Sequence, residues 1–199
     1  MGRPKQQHPD NTRSRAVKAA EVLLHQHGYM GVSMEHIAKH TGIRKASLYH
    51  HFPDGKDQIV LEIAERMIEF DAQGFQAAFE AHTTVRQRLE AMAHFSFQDT
   101  RQTNAVLRDA ARFMPADHQR RIGHLFFERL FEPVRAAFSA GIASGELGPH
   151  DPHFAAFSFL SLLAEMNAPQ HQAIWPDLSV RVTDLVLNGL SAPVPKESM

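Results

Sequence analysis

Apolar side chains recur along this chain every three or four residues, which is the spacing of one face of an α-helix. No segment shows a convincing alternation of period two, the mark of a strand. The pattern predicts a first helix over about 12–27, with Ala20 and Leu24 inward and Gly28 closing it. A short helix follows at about 34–40, carrying Ile37 and Ala38 inward, with Ser33 as N-cap and Glu35 in the first turn. Another spans about 44–51, with Leu48 and the following Phe52 turned to the core. From near Asp54 to His82 the inward positions are Ile59, Ile63, Met67, Phe70 and Gly74. A helix of that length, about 40 Å at 1.5 Å per residue, must leave the first domain and enter the rest.

The pattern stays helical from there. A helix over 84–100 carries Leu89, Met92, Ala93 and Phe97, and one over 104–114 carries Val106, Leu107, Ala110 and Phe113 and is stopped by Pro115. The stretch 116–144 contains Ile122, Leu125, Phe126, Leu130 and Phe138, with Pro133 inside it predicting a kink. Gly145, Gly148 and Pro149 mark a loop. Residues 151–167 are strongly apolar (Phe154, Phe157, Leu160, Leu163, Met166), 168–176 read as a loop carrying the only Trp, Trp175, and 177–190 form a last helix with Val182, Leu185, Val186 and Leu190.

The segment 33–52 carries more than periodicity. Two short helices are joined by a turn at Gly42, where a left-handed backbone suits a residue without Cβ. The second helix buries Leu48 and sends Arg44, Lys45, Ser47, Tyr49 and His50 to its other face. Two helices joined in this way place the second in a DNA major groove, where such side chains meet phosphates and base edges. Charge agrees. Residues 1–60 hold nine Lys/Arg against five acids, a balance of +4, while the remainder holds twelve against seventeen, −5. Local positive charge is what binds phosphate. Thirteen of the fourteen Phe lie beyond residue 60, so the later part is built to bury apolar area.

The stretch from Thr12 to about Asp71 resembles the DNA-binding domain of the TetR family of transcriptional regulators. The positions that carry the resemblance are Arg13, Ala20, Leu24, Gly28, Gly31-Val32-Ser33, Ile37-Ala38, Gly42-Ile43, Leu48-Tyr49, His51-Phe52 and Lys56. Two features depart from the family pattern. Arg44 stands where Ser or Thr is usual, so the second helix lacks a side-chain N-cap and carries a cation that opposes the helix dipole unless a phosphate lies nearby. The run Phe52-Pro53-Asp54-Gly55-Lys56 is one residue longer than the commonest spacing.

The resemblance implies an all-α fold in which an N-terminal helix-turn-helix three-helix domain is linked by a long helix to a C-terminal helical domain for ligand binding and dimerisation. The domain organisation expected is a flexible basic arm at 1–11, the DNA-binding domain at 12–53 extending to about 71, the C-terminal domain at 54–191, and a tail at 192–199. The implied function is that of a sequence-specific regulator, a repressor released from a palindromic double-stranded DNA operator by a small hydrophobic or amphipathic effector. DNA contact is expected from Ser33, Arg44, Lys45, Ala46, Ser47, Tyr49, His50 and Lys56. Lys45, Tyr49 and Lys56 are the phosphate candidates, and Arg44, Ser47 and His50 the base or mixed ones. Arg3 and Lys5 belong to the arm, which is either a minor-groove reader or a solvated tail. Met92, Phe95, Phe113, His124 and Phe126 are candidate effector-pocket residues, with bundle core as the competing reading. Phe154, Phe157, Val182, Leu185 and Val186 are candidates for a homodimer interface.

Other chemistry finds little support. The chain has no cysteine, which excludes disulfides, thiol catalysis and Cys-based zinc sites. Fourteen histidines are present. His36 and His40 stand four apart, a spacing at which two imidazoles share a metal, but no third ligand stands beside them. His150, Asp151 and His153 form a second cluster, slightly better chemically, that still reads better as a solvated loop. There is no Gly-rich phosphate loop, no Gly-x-Ser-x-Gly and no His-Glu-x-x-His, so an enzymatic reading has no residue to rest on, and no cofactor or metal is expected. No run of about 18 apolar residues predicts a membrane span. No apolar signal segment opens the chain, and a cytoplasmic protein is expected. The rival readings are an activator or architectural DNA-binder of the same fold without a ligand, and a His-based metal enzyme.

Overall fold

The computed structural model of the chain describes residues 9–98 and 112–189. These fall into two compact units. The first comprises the described residues up to Met67 together with 112–123; the second comprises 68–98 and 124–189. All regular structure among them is helical, as the periodicity predicts.

In the first unit, α1 (Pro9–Gly31) is broken at Gly28, where φ is 65°. It is followed by α2 (Met34–Thr41), α3 (Lys45–His51) and the beginning of α4 (Lys56–Ala81). The core is made from the inward faces of all four. Ala16, Ile37, Leu48, Phe52 and Ile59 are fully buried, with Val17, Ala20, Leu24, Ile63 and Met67 around them. Met114 joins this core at 3% exposure. The sequence reading places 112–114 in the C-terminal domain, but here these residues belong to the first unit. The rest of the expected helix at 104–114 lies outside the described residues.

The second unit contains the remainder of α4, α5 (Val85–Gln98), the end of α6 (Ala116–Phe126), a π-helical turn at Phe127–Phe131, α7 (Glu132–Ala143), α8 (Pro152–Met166), α9 (Pro169–Ile174) and α10 (Leu178–Gly189). Helix α10 lies against α5 and α8, and α7 lies against α8. Leu89, Met92, Ala93, Phe138, Ala156 and Phe159 are the fully buried centre.

Three expectations change. Residues 168–176 contain α9 rather than a simple loop, with Pro169 in the first turn, where its missing N–H costs nothing. Phe70 is 42% exposed and lies against Phe95 at 5.4 Å between ring centroids. Its neighbour in the stripe, Gly74, is the true point of close approach, since a Cβ there would collide with the Phe95 ring. Pro133 breaks the ladder through the π turn that precedes it. The amide of Glu132 donates to Phe127 O, five residues back, and this widened turn moves the preceding carbonyls away from the proline ring.

Candidate nucleic-acid interface

The geometry of the α2–α3 pair is set by short-range chemistry. Ser33 is extended and its Oγ accepts from His36 N at 3.2 Å, so it caps α2. Gly42 ends α2 at φ 69°, a left-handed conformation that turns the chain sharply and disfavours a Cβ. The Thr41 hydroxyl reinforces the turn, donating to Ile37 O at 2.7 Å and accepting from Ile43 N at 3.3 Å. Arg44 then opens α3 with no side-chain cap, as the sequence predicts. Its carbonyl accepts from Ser47 N and Leu48 N at 2.9 and 3.1 Å.

Helix α3 is seven residues long, and Leu48 alone is fully buried within it. Arg44, Lys45, Ala46, Tyr49 and His50 are exposed and Ser47 is half-buried. Among the described residues no carboxylate pairs with Arg44 or Lys45. A short helix with two unneutralised cations, a phenol and an imidazole on its open face is arranged for phosphate oxygens and base edges. Arg3 and Lys5 lie outside the described residues.

Two arginines that the sequence reading leaves without a role hold this pair in place. Arg13 Nη1 donates to His51 O, at the end of α3, at 2.8 Å. Its Nη2 stands 2.6 Å from Glu62 Oε2 on α4, and the guanidinium lies over the Phe52 ring at 4.6 Å. Arg15 Nη2 donates to Thr41 O, the last residue of α2, at 2.6 Å. Each helix end leaves carbonyls without intrahelical partners and carries partial negative charge, so a guanidinium there satisfies both. Two basic residues two positions apart near the start of α1 are the only signal in the sequence. Their partners lie 38 and 26 residues away.

Lys56 requires correction as a phosphate candidate. Its Nζ donates to Tyr29 O at 2.8 Å and sits over the Tyr29 ring at 3.8 Å. Burial pushes the Lys56 ammonium below its usual range, partly offset by neighbouring Asp57. The Tyr29 hydroxyl donates to Asp57 Oδ1. Burial, then that carboxylate, holds the phenol well above its usual range. Phe113 stacks on the other partner of this group, its ring 6.2 Å from that of Tyr29 and nearly parallel. The lysine is therefore turned inward.

The matching pattern has a family. Residues 16–63 match the model for bacterial regulatory proteins of the tetR family. These residues run from α1 through the α2–α3 pair into α4. The N-terminal domain is similar to the DNA-binding domains of that family. The chain is similar to the HTH-type transcriptional regulator LmrA of Bacillus subtilis, 35% identical over 81 residues, which is 41% of this chain and 43% of that protein. It thus spans less than half the length of the curated relatives it matches. Similarity of fold extends further. A TetR-family regulatory protein from Rhodococcus RHA1 superposes with TM-score 0.80 at 19% identity, over 92% of this chain and 98% of that one. AibR, in complex with isovaleryl coenzyme A and operator DNA, superposes with TM-score 0.71 at 21% identity, over 92% and 99%.

His36 and His40 line a cavity of about 470 Å³ with Leu23, His27, Gly31 and Lys39. His36 Nδ1 is engaged with Gly31 O at 3.1 Å. In the second cluster, Asp151 Oδ1 caps α8 by accepting from His153 N at 2.8 Å, and the His153 ring packs on Phe131 at 4.6 Å. Among the described residues no three His or acidic side chains are placed to hold a metal.

The candidate effector residues are divided between the two units. Met92 is fully buried core, and Phe95 packs against Phe70 and Phe75. Phe113 belongs to the first unit, against Tyr29. The side chain of His124 is 70% exposed and reaches Glu128 at 3.3 Å, and Phe126 is 38% exposed. A cavity of about 410 Å³ in the second unit is lined by His82, Gln87, Glu90, Ala91, His94 and Ser179, and includes none of the five. The interface candidates divide. Phe154, Phe157 and Leu185 are 68%, 60% and 64% exposed and Val186 is half-buried, but Val182 is 4% exposed and belongs to the subunit core. Among the described residues no helix is long and apolar enough to cross a membrane.

Proposed function

We propose that this chain is a sequence-specific, homodimeric DNA-binding transcriptional regulator that represses from a palindromic operator. The observation that carries the reading is α3, a helix anchored by Leu48 that presents Arg44, Lys45, Ser47, Tyr49 and His50 outward, with no carboxylate partner for its cations among the described residues. Ser33 and Ala46 complete the contact set, and Arg3 and Lys5 extend it from the arm. Two copies related by a two-fold axis set two such helices about 34–36 Å apart, on successive major grooves of one face of the duplex. Phe154, Phe157 and Leu185, large apolar side chains left in solvent on α8 and α10, support pairing with a second copy.

Control comes from a small amphipathic effector bound in the C-terminal domain, which we place at 54–191. Acyl thioesters are the class to screen first, because AibR binds one on the same fold. The effector acts by its differential affinity for two dimer geometries, and operator affinity falls by the same factor as effector affinity does on DNA. Work on the chromosome places the protein in the cytoplasm. Selection from a random duplex library, followed by footprinting and sedimentation, tests the reading. The expected result is enrichment of an inverted repeat bound by a dimer. Failure of the full chain to enrich any duplex above a scrambled one would overturn it.

A further inference from the structure

Helix α3 is too short to hold its own orientation. It has seven residues and no side-chain N-cap, and isolated helices of that length do not persist in water. Its apolar anchors, Leu48 and Phe52, are both fully buried, but they lie four residues apart on one line along the helix. Two anchors on one line fix depth and leave rocking about that line unopposed. The group that opposes it is Arg13, which holds the His51 carbonyl at the end of α3, Glu62 on α4 and the face of Phe52 in one planar guanidinium. Glu62 is itself held, its Oε1 2.5 Å from Arg66 on the next turn of α4.

We propose that Arg13 is a positioning residue for DNA recognition: it fixes the tilt at which α3 meets the groove without touching DNA. The proposal rests on the DNA-binding reading above and adds the residue that orients it. Its chemistry is specific to arginine. One arm of the fork donates to a carbonyl while the other stands in ion-pair contact with a carboxylate and the guanidinium lies over an aromatic ring, whereas a lysine ammonium is a point charge that can hold only one partner well. Misplaced base-edge donors lose sequence discrimination first, because hydrogen bonds weaken steeply with angle while phosphate attraction depends mainly on charge.

The test uses the full chain, the best duplex that the wild type selects from a random library, and a scrambled duplex of equal length. Affinities are measured by fluorescence anisotropy across a potassium chloride series, and helicity and melting by circular dichroism. For Arg13→Ala and Arg13→Lys we expect affinity for the selected duplex to fall about tenfold, roughly 1.4 kcal/mol. Affinity for the scrambled duplex and the salt slope should stay unchanged, and Glu62→Gln should move the same way by less. A salt slope lowered by about one unit, with both duplexes weakened alike, would make Arg13 a phosphate contact and overturn the proposal. Unchanged discrimination would also overturn it, as would loss of helicity in both arginine variants. A wild type that selects no duplex would fail the DNA-binding reading itself, a result distinct from any of these.

Discussion

Replacing Lys56 by Met separates an inward lysine from a DNA-facing one. The wild-type ammonium makes a 2.8 Å hydrogen bond to Tyr29 O and a 3.8 Å contact with the Tyr29 ring. A hydrogen bond to a charged group is worth about 1.5–3 kcal/mol when buried. Lys56 is only half-buried and partly hydrated, which reduces that toward about 1 kcal/mol. The cation–π contact adds about 0.5–1 kcal/mol. Methionine keeps the stem against the ring and removes only the charge, so the loss is about 1–2 kcal/mol, or a fall of at least about 4 °C in Tm if the N-terminal unit melts as a small domain. Thermal melts by circular dichroism read the first effect. Anisotropy over a salt series reads the second: with the ammonium on Tyr29 the slope of affinity against salt stays within about 0.3 of wild type, whereas a lost phosphate contact lowers it by about 0.9. An unchanged Tm with a slope lowered by about one unit would refute the assignment of Lys56 to Tyr29.

Lys45→Ala should weaken binding to all duplexes alike and lower the salt slope by about 0.9, while Arg44→Ala should change the preferred base, read by repeating the selection. Leu185→Glu puts a charge on an exposed apolar face and should yield monomers in sedimentation, with poor operator affinity; an unchanged dimer would remove α10 from the interface. Tyr29→Phe should alter stability in alkali. Because the folded phenol holds its proton well above the unfolded value of 10, the folded chain binds more protons there and wild-type stability falls as pH rises past about 10. Lys56, shifted down, gives a smaller opposite trend just below its usual 10.5, and the Phe variant should lose the steep fall and keep that trend, in urea titrations at a series of pH values.

The sequence by itself determined most of the helices and the helix-turn-helix pattern. Periodicity places Ile37, Leu48, Phe52, Ile59 and Ile63 inward, and all five are buried. Gly42 and Ser33 act through their own backbone and nearest turn, so their roles are legible in a run of twenty residues. What the sequence could not give were choices among partners far along the chain. Arg13 reads as a surface cation until His51, 38 residues on, is brought to it. Lys56 reads as a phosphate contact until the carbonyl of Tyr29, 27 residues before it, accepts its hydrogen bond. An apolar stripe likewise does not say which of its edges meets the subunit's own core. Val182 and Leu185 are about 60° apart around α10 at 3.6 residues per turn, yet one is 4% and the other 64% exposed. Local backbone preference and helical period act over one or two turns and are written in neighbouring residues. Ion pairing and burial are decided by whatever the folded chain happens to bring within a few ångströms, and that is a property of the tertiary structure alone.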